Sequence, residues 1–424
     1  MITPYHWQEP SVAKMVEVLR NGNFCINASD TGTGKTVTAL AALKQLGGRA
    51  LIVCPKIVHT AWLRTAEEMA CRDQIYGIVN PERLQYSNPY FVDNTWKIPK
   101  SVLIIWDEVH RGASGPKATT TKILALTRPL GYKVLAMSAT IASSPLQMRA
   151  IGYLAGLHQF KPASYWEWCR ANGCFHQDPI PGLRFPKGPR AQAFMEQIGR
   201  QLQPVMTRIR IADVPDFPET SIQANLYDLE TTYAQQIKDA WDNLREALRK
   251  KRSDELTERL RAREITELCK AALLSDLARE AIEDAGKSVV VFVNFRSTLA
   301  ALQDKLGKFK PHAIYGGQTD TDRQQGIAAF QADDCPLMLC MSQAAGIGIN
   351  LHGLPGKRER TSFITPSDNA TDFIQCLGRI HRSGGSKTIQ TVVLAAGTVE
   401  EKIHANLQGK LSNLSALQDG DLTT

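Results

Sequence analysis

The run Asp30-Thr31-Gly32-Thr33-Gly34-Lys35-Thr36 directly follows the apolar stretch Phe24–Ile26. Glycines at a strand-to-helix junction let backbone N–H groups converge on an anion, which also meets the positive end of the next helix. Lys35 then stands where it can neutralise the β- and γ-phosphates of ATP, and the Thr36 hydroxyl where it can ligate Mg²⁺. Downstream, Val102–Trp106 delivers Asp107-Glu108-Val109-His110 at its carboxyl end, where ligands gather in open α/β sheets. Asp107 is expected to hold the Mg²⁺ through water, and Glu108 to orient and deprotonate the water that attacks the γ-phosphate. Adjacent carboxylates after a strand would otherwise cap the following helix. In Gln375–Arg382 the guanidinium groups of Arg379 and Arg382 share one face if the segment is helical. Such arginines act as fingers on a neighbouring domain's phosphates or form surface ion pairs.

Positioning these groups needs parallel sheets. Short β-branched strands alternate with helical segments from Phe24 to about Thr140, at Ala50–Cys54, Val102–Trp106 and Val134–Met137. The pattern returns at Val289–Val293, Leu337–Cys340 and Thr391–Leu394. Buried apolar strands between helices predict an α/β fold of two parallel-sheet lobes with crossover helices. The expected division is 1–220 for the first lobe, with a helical insertion at about 145–205, and 221–424 for the second, opening with a helical segment at 225–285. Pro215–Pro218 reads as a hinge, and Arg249–Arg252 as a phosphate patch or a solvated helix face.

The chain's 424 residues are too many for one ordinary core, and 43% hydrophobic with 22% charged residues is the composition of a globular protein. A net charge of +8 suits a polyanionic partner without requiring one. The nine cysteines form no C-x-x-C pair, and the spacing of Cys169, Cys174 and His176 fits no standard zinc module, so reduced thiols are expected. Met1–Gln8 lacks the regions of a signal peptide, and no apolar run approaches the ~20 residues that span a bilayer. A cytoplasmic, nucleoid-associated or virally encoded protein without a membrane partner is the expectation.

Other stretches fall into a recognisable order. Pro4-Tyr5-His6-Trp7-Gln8 precedes the phosphate loop; Leu51–Lys56 with Ala61-Trp62, then Ser138-Ala139-Thr140, follow it; Asn294-Phe295, Tyr315-Gly316-Gly317 with Arg323, Gly346–Leu351 and Gln375–Arg382 complete the set. The chain resembles superfamily II helicase-like ATPases built from tandem RecA-like lobes. Pro204–Arg208 followed by Asp213-Val214 and Pro218, and Phe160–Cys169 with Tyr165, Trp166 and Trp168, resemble the Swi/Snf-type branch. It departs from that branch at Ser138-Ala139-Thr140, where Gly-Thr-Pro is usual, at Ser367-Asp368-Asn369, at Ser383-Gly384-Gly385, and in an insert carrying Lys357, Arg358 and Arg360.

The resemblance implies that Gln8 reads adenine and that Gly348 joins Arg379 and Arg382 on the nucleotide. His110, Ser138, Ala139, Thr140 and Gln375 would couple the ATP site to the strand site. Lys56, His59, Arg323 and Ser342 would face a nucleic-acid backbone, although an ordinary surface role suits each of the four equally well. It further implies ATP-driven translocation on duplex or branched DNA, through phosphate contacts that salt weakens. A strand-separating DNA or RNA helicase is the alternative that the Ser-Ala-Thr spelling favours. A clamp that no longer hydrolyses ATP would be expected to have lost one of Lys35, Asp107, Glu108, Arg379 or Arg382.

Overall fold

Runs of Val, Ile and Leu that are apolar on both sides of the backbone must be covered on both faces, and the sheets form accordingly. The computed structural model describes residues 1–419 except 87, 111–117, 178–179, 250–254, 346–348, 355, 368 and 383. It divides into two compact units, Met1–Pro215 with Gly409–Thr424, and Asp216–Gln408.

In the first unit the strands are β1 (Phe24–Asn27), β2 (Ala50–Val53), β3 (Ile75–Val79), β4 (Phe91–Val92), β5 (Thr95–Trp96), β6 (Leu103–Asp107), β7 (Val134–Met137), β8 (Phe175–Gln177), β9 (Ile180–Arg184) and β10 (Met206–Thr207). Six of them make one sheet in the order β10-β1-β7-β6-β2-β3, parallel throughout. Every residue of β1, β2, β6 and β7 is buried, because helices cover both faces. Ile26, Leu51, Ile104 and Val134 are wholly inaccessible, each burial worth about 2 kcal/mol. β4 and β5 form a tight hairpin whose central Asp93 and Asn94 both have positive φ, 49° and 55°, the backbone that a twisted two-residue turn requires. The expected insertion contains helices Arg149–Leu154, Pro162–Ala171 and Pro189–Leu202, but also the antiparallel β8–β9 hairpin.

The second unit contains β11 (Thr220–Tyr227), β12 (Ser288–Val293), β13 (His312–Ile314), β14 (Leu337–Met341), β15 (Arg360–Ile364) and β16 (Thr388–Ala395). They form a second all-parallel sheet in the order β11-β16-β15-β12-β14-β13. Helices Thr231–Arg249, Glu255–Leu268 and Ala271–Glu283 fill the region expected to be helical. The Arg249–Arg252 run lies mostly outside the described residues.

The units meet at Pro215/Asp216 instead of after 220, because Thr220 already begins β11, paired to β16. Residues 409–424, expected in the second lobe, belong to the first unit, where Ala416 and Leu417 join its core. Arg360, expected in a basic insert, opens β15 instead. It is 1% exposed, lies over the Phe330 ring at 4.3 Å and pairs with Asp333 at 2.9 Å. Among the described residues no helix is long and apolar enough to cross a membrane.

One buried ion pair fastens the second unit. Lys270 Nζ donates to Glu400 Oε1 at 2.7 Å and to the Val393 carbonyl at 3.0 Å, while Glu400 Oε2 accepts from the Ala395 N–H at 2.9 Å. Glu400→Ala would strand the ammonium inside the protein and is expected to destabilise this unit by about 3 kcal/mol in urea unfolding. Pairing it with Lys270→Met should restore most of that loss.

Candidate nucleotide site

The phosphate loop leaves β1 and enters helix Lys35–Leu46 through Gly34, whose φ of 82° lies in the left-handed region. A Cβ at Gly34 would fall on the amide nitrogen of Gln8, so the loop and Gln8 are fitted to one another. Gln8 is 2% exposed; its Nε2 donates to the Thr33 carbonyl at 2.8 Å and its Oε1 accepts from the Tyr5 N–H at 2.9 Å. Lys35 Nζ donates to the carbonyls of Ser29 and Asp30, both at 3.0 Å, which holds the ammonium across the loop. Gly32, with φ 85°, and the half-buried Thr31 and Thr36 complete the curve.

Asp30 departs from expectation. Its Oδ1 lies 3.1 Å from Arg208 Nη2 and its Oδ2 accepts from the Ile211 N–H at 2.9 Å, so the carboxylate anchors the loop to the chain after β10.

Sheet order explains how the acids reach this loop. β7 lies between β1 and β6, so Ser138–Thr140 leaves the sheet edge between the phosphate loop and the acidic pair. Asp107 ends β6, 9% exposed; its Oδ2 accepts from the indole N–H of Trp62 at 3.0 Å and its Oδ1 from the Glu108 N–H at 3.0 Å. Glu108 has φ 50°, a backbone that costs a non-glycine residue roughly 1–3 kcal/mol and persists where neighbours enforce it. Its Oε2 lies 3.4 Å from His110 Nδ1, the same nitrogen that meets Ser138 Oγ at 2.7 Å and Thr140 Oγ1 at 3.3 Å. A carboxylate only accepts, so donation to Glu108 places the proton on Nδ1, whereas donation by either hydroxyl places it on Nε2. His110, Ser138 and Thr140 thus lie together, and the Thr140 N–H closes the group on Ser138 Oγ at 2.9 Å.

Burial, reinforced by the neighbouring Glu108 carboxylate, pushes the Asp107 carboxyl up from 3.8 to about 6, against the pull of the Trp62 hydrogen bond and Lys35. A raised value means that the folded state holds the proton more tightly than the unfolded chain. Folding stability is therefore lost as pH rises from 3.8 to about 6, with no further loss above. Asp107→Asn should escape that loss. Its gain in melting temperature over the parent, measured without nucleotide, should grow across this interval and then level off. A gain independent of pH would contradict the assignment.

In the second unit, Arg379 and Arg382 do not share a helical face. Helix Ala370–Ile380, capped by the Asn369 side chain, stops before Arg382, because His381 turns extended and meets the Pro218 carbonyl at 2.7 Å. The two arginines still converge: Arg379 Nη1 and Arg382 Nη2 donate to the Ile349 carbonyl at 3.2 and 3.3 Å. Arg379 is 3% exposed and Arg382 half-buried. Gln375 is buried on the same helix, and Gly348 lies outside the described residues.

Of the four backbone candidates, Lys56 is exposed and His59 half-buried, its ring 3.3 Å from the Cys54 carbonyl. Arg323 and Ser342 are instead turned into their own unit, onto the carbonyls of Tyr315 at 3.2 Å and Val293 at 3.2 Å. Glu267, not singled out by the sequence, accepts from the Asn294 and Phe295 N–H groups at 2.9 Å and from Thr365 Oγ1 at 2.7 Å, fixing that strand end. Cys169 and Cys174 are buried beside Tyr165, whereas His176 is exposed on β8. Among the described residues, no group of three or more His, Cys, Asp and Glu could hold a metal ion.

The donor set of the first unit fits a magnesium–triphosphate: backbone N–H groups of a glycine loop, an ammonium, a hydroxyl, and two carboxylates at the end of β6. Comparison with known proteins agrees with that chemistry. The family model for the type III restriction enzyme res subunit matches residues 1–143, and that for the helicase conserved C-terminal domain matches 269–384. A putative ATP-dependent RNA helicase, L364, of Acanthamoeba polyphaga mimivirus is 30% identical over 99% of this chain and 84% of its own length. Among solved structures, the DUF1998 helicase MrfA bound to DNA matches 96% of this chain and 48% of its own at a TM-score of 0.56 and 13% identity, a likeness of fold. The Sulfolobus solfataricus SWI2/SNF2 ATPase core in complex with dsDNA covers 98% of this chain and 94% of its own at a TM-score of 0.40 and 18% identity.

Proposed function

The chain belongs to the superfamily II helicase-like ATPases, ATP-hydrolysing enzymes that act on nucleic acid, and we propose that it uses that hydrolysis to translocate along double-stranded DNA. The observation that carries the duplex reading is the Swi/Snf-type signature Pro204–Arg208, Asp213-Val214 and Pro218, which runs through the end of the first unit's continuous span into the start of the second. Duplex or branched DNA would then be the track, gripped through phosphates without regard to sequence.

In this reading Gln8 meets the adenine, while Lys35 and the loop N–H groups bind the β- and γ-phosphates. Thr36 and Asp107 would hold Mg²⁺, which when bound offsets negative charge on the phosphates. Glu108 takes the proton from the attacking water. His110, fixed by Ser138 and Thr140, stands 3.4 Å from the Glu108 carboxylate and limits its movement. Arg382 supplies positive charge to the transition state, beside the buried Arg379 that shares its bond to the Ile349 carbonyl. Because His110 touches both the acidic pair and the Ser138–Thr140 loop, a shift of that loop when nucleic acid binds would reorient the general base.

A second reading, strand separation on DNA or RNA, has its own support. The Ser-Ala-Thr loop uses both hydroxyls on His110, and the β8–β9 hairpin carries an exposed Phe175 that could wedge between bases. Steady-state ATP hydrolysis with duplex DNA, forked DNA, single-stranded DNA and duplex RNA separates the two. Strongest stimulation by duplex or forked DNA is the expected result. Stimulation by single strands or RNA alone would replace translocation with strand separation.

A further inference from the structure

Gln418, near the end of helix Val399–Asp419, is 4% exposed and uses both ends of its amide. Its Nε2 donates to the Ala139 carbonyl at 2.7 Å, at the centre of the Ser138–Thr140 loop. Its Oε1 accepts from Arg208 Nη1 at 2.7 Å. Arg208 in turn donates to the Ala28 carbonyl at 3.0 Å and pairs with Asp30, at the two ends of the segment that leads into the phosphate loop. The amide thus bridges the Ser138–Thr140 loop and, through Arg208, the segment leading into the phosphate loop, and it comes from residues 409–419, far from either in sequence.

The seat for this segment is built into the first unit. A Cβ at Gly199, in helix Pro189–Leu202, would fall on the Leu417 carbonyl. Ala416 and Leu417 are fully buried there, and Asn413 Nδ2 donates to the Ser143 carbonyl at 3.3 Å, just past the same loop. A glycine that admits a backbone, two buried apolar residues and two side chains aimed at one loop describe a docked working part.

We propose that Gln418 is a positioning residue that, with Arg208, holds the Ser138–Thr140 loop in register with the phosphate loop, so that the segment 409–419 transmits the nucleic-acid-bound state to hydrolysis. The proposal does not depend on which nucleic acid is the track, and its assay uses whichever polymer stimulates the parent protein most. Gln418→Leu keeps the packing and deletes both arms. Gln418→Glu keeps the Arg208 arm as an ion pair and replaces the Ala139 arm by repulsion between two acceptors.

Both variants are expected to lower stimulated kcat at least about tenfold, since small misplacements of reacting groups carry large rate penalties. Unstimulated kcat and the KM for ATP should stay within about twofold, because Gln418 touches none of Gln8, Lys35 and Glu108, and more frequent opening of 28–34 still leaves the closed loop the dominant state. Hydrogen exchange on the full chain should quicken at residues 28–34 and 138–143 in Gln418→Leu, and at 138–143 alone in Gln418→Glu. Gly199→Val, which displaces the segment without altering any of these side chains, should reproduce the Gln418→Leu pattern. Equal losses of stimulated and unstimulated rates would reduce Gln418 to ordinary packing. Unchanged exchange at 138–143 would overturn the proposal even if no polymer stimulates the protein.

Discussion

Glu108→Gln is expected to cut nucleic-acid-stimulated kcat by about a thousandfold while leaving ATP bound. The amide keeps the size and hydrogen-bonding reach of the carboxylate but cannot take a proton, and positioned general bases contribute roughly 10²–10⁴ to rate. Binding should persist because the groups placed on the nucleotide, the Gln8 amide and the Lys35 ammonium, are held by contacts of their own with the carbonyls of Thr33, Ser29 and Asp30. Phosphate release and the binding of a fluorescent ATP analogue, measured on the same preparation, check both halves. A variant within tenfold of the parent rate would remove Glu108 from the chemistry and leave the acidic pair as structure.

The second large effect is expected at Arg382. Arg379 is 3% exposed and serves its own unit, whereas Arg382 is half-buried and lies beyond the end of helix Ala370–Ile380. Arg382→Ala should therefore lower kcat by about a thousandfold, the lower bound for a lost arginine finger, with little change in melting temperature. Arg379→Ala should instead weaken the fold, since it removes a buried side chain and its bond to the Ile349 carbonyl. Melting curves beside turnover numbers for the two variants distinguish the roles. If Arg382→Ala melts early and Arg379→Ala does not, the assignments exchange.

What could be read in the sequence was chemistry that is contiguous in the chain. The Asp30–Thr36 run and Asp107–His110 hold their ligand groups within a few residues, so spacing alone points to phosphates and acid–base work. The partners that tune them arrive from elsewhere: Trp62 lies 45 residues from Asp107, and Gln418 lies 279 from Ala139. No local pattern announces such pairs. In the sequence Trp62 is only a motif residue after Leu51–Lys56, and Arg208 only the end of the Pro204–Arg208 signature.

The same limit governs the fold. Central strands β1, β2, β6, β7, β12 and β14 are apolar on both faces and stand out as runs. The edge strand β11 exposes Ile222 and Leu226 and alternates them with Ser221, Gln223 and Asn225, a weaker signature. β15 begins with Arg360, Thr361 and Ser362, polar residues that are buried because each has a partner in the unit, which composition cannot reveal. Arg323 and Ser342 show the converse, a basic and a hydroxyl side chain of family motifs that also prop the strand ends of their own unit.

The left-handed backbone at Glu108 sets stability against activity at a single position. Glycine and asparagine tolerate φ near 50° better than glutamate does, and either would relieve the local strain. Asparagine is within a few nucleotide changes of glutamate, and neither replacement can accept the proton from water. With Glu108 as the proposed base, Glu108→Asn or Glu108→Gly is expected to give a protein that melts higher than the parent and binds nucleic acid without turning over ATP.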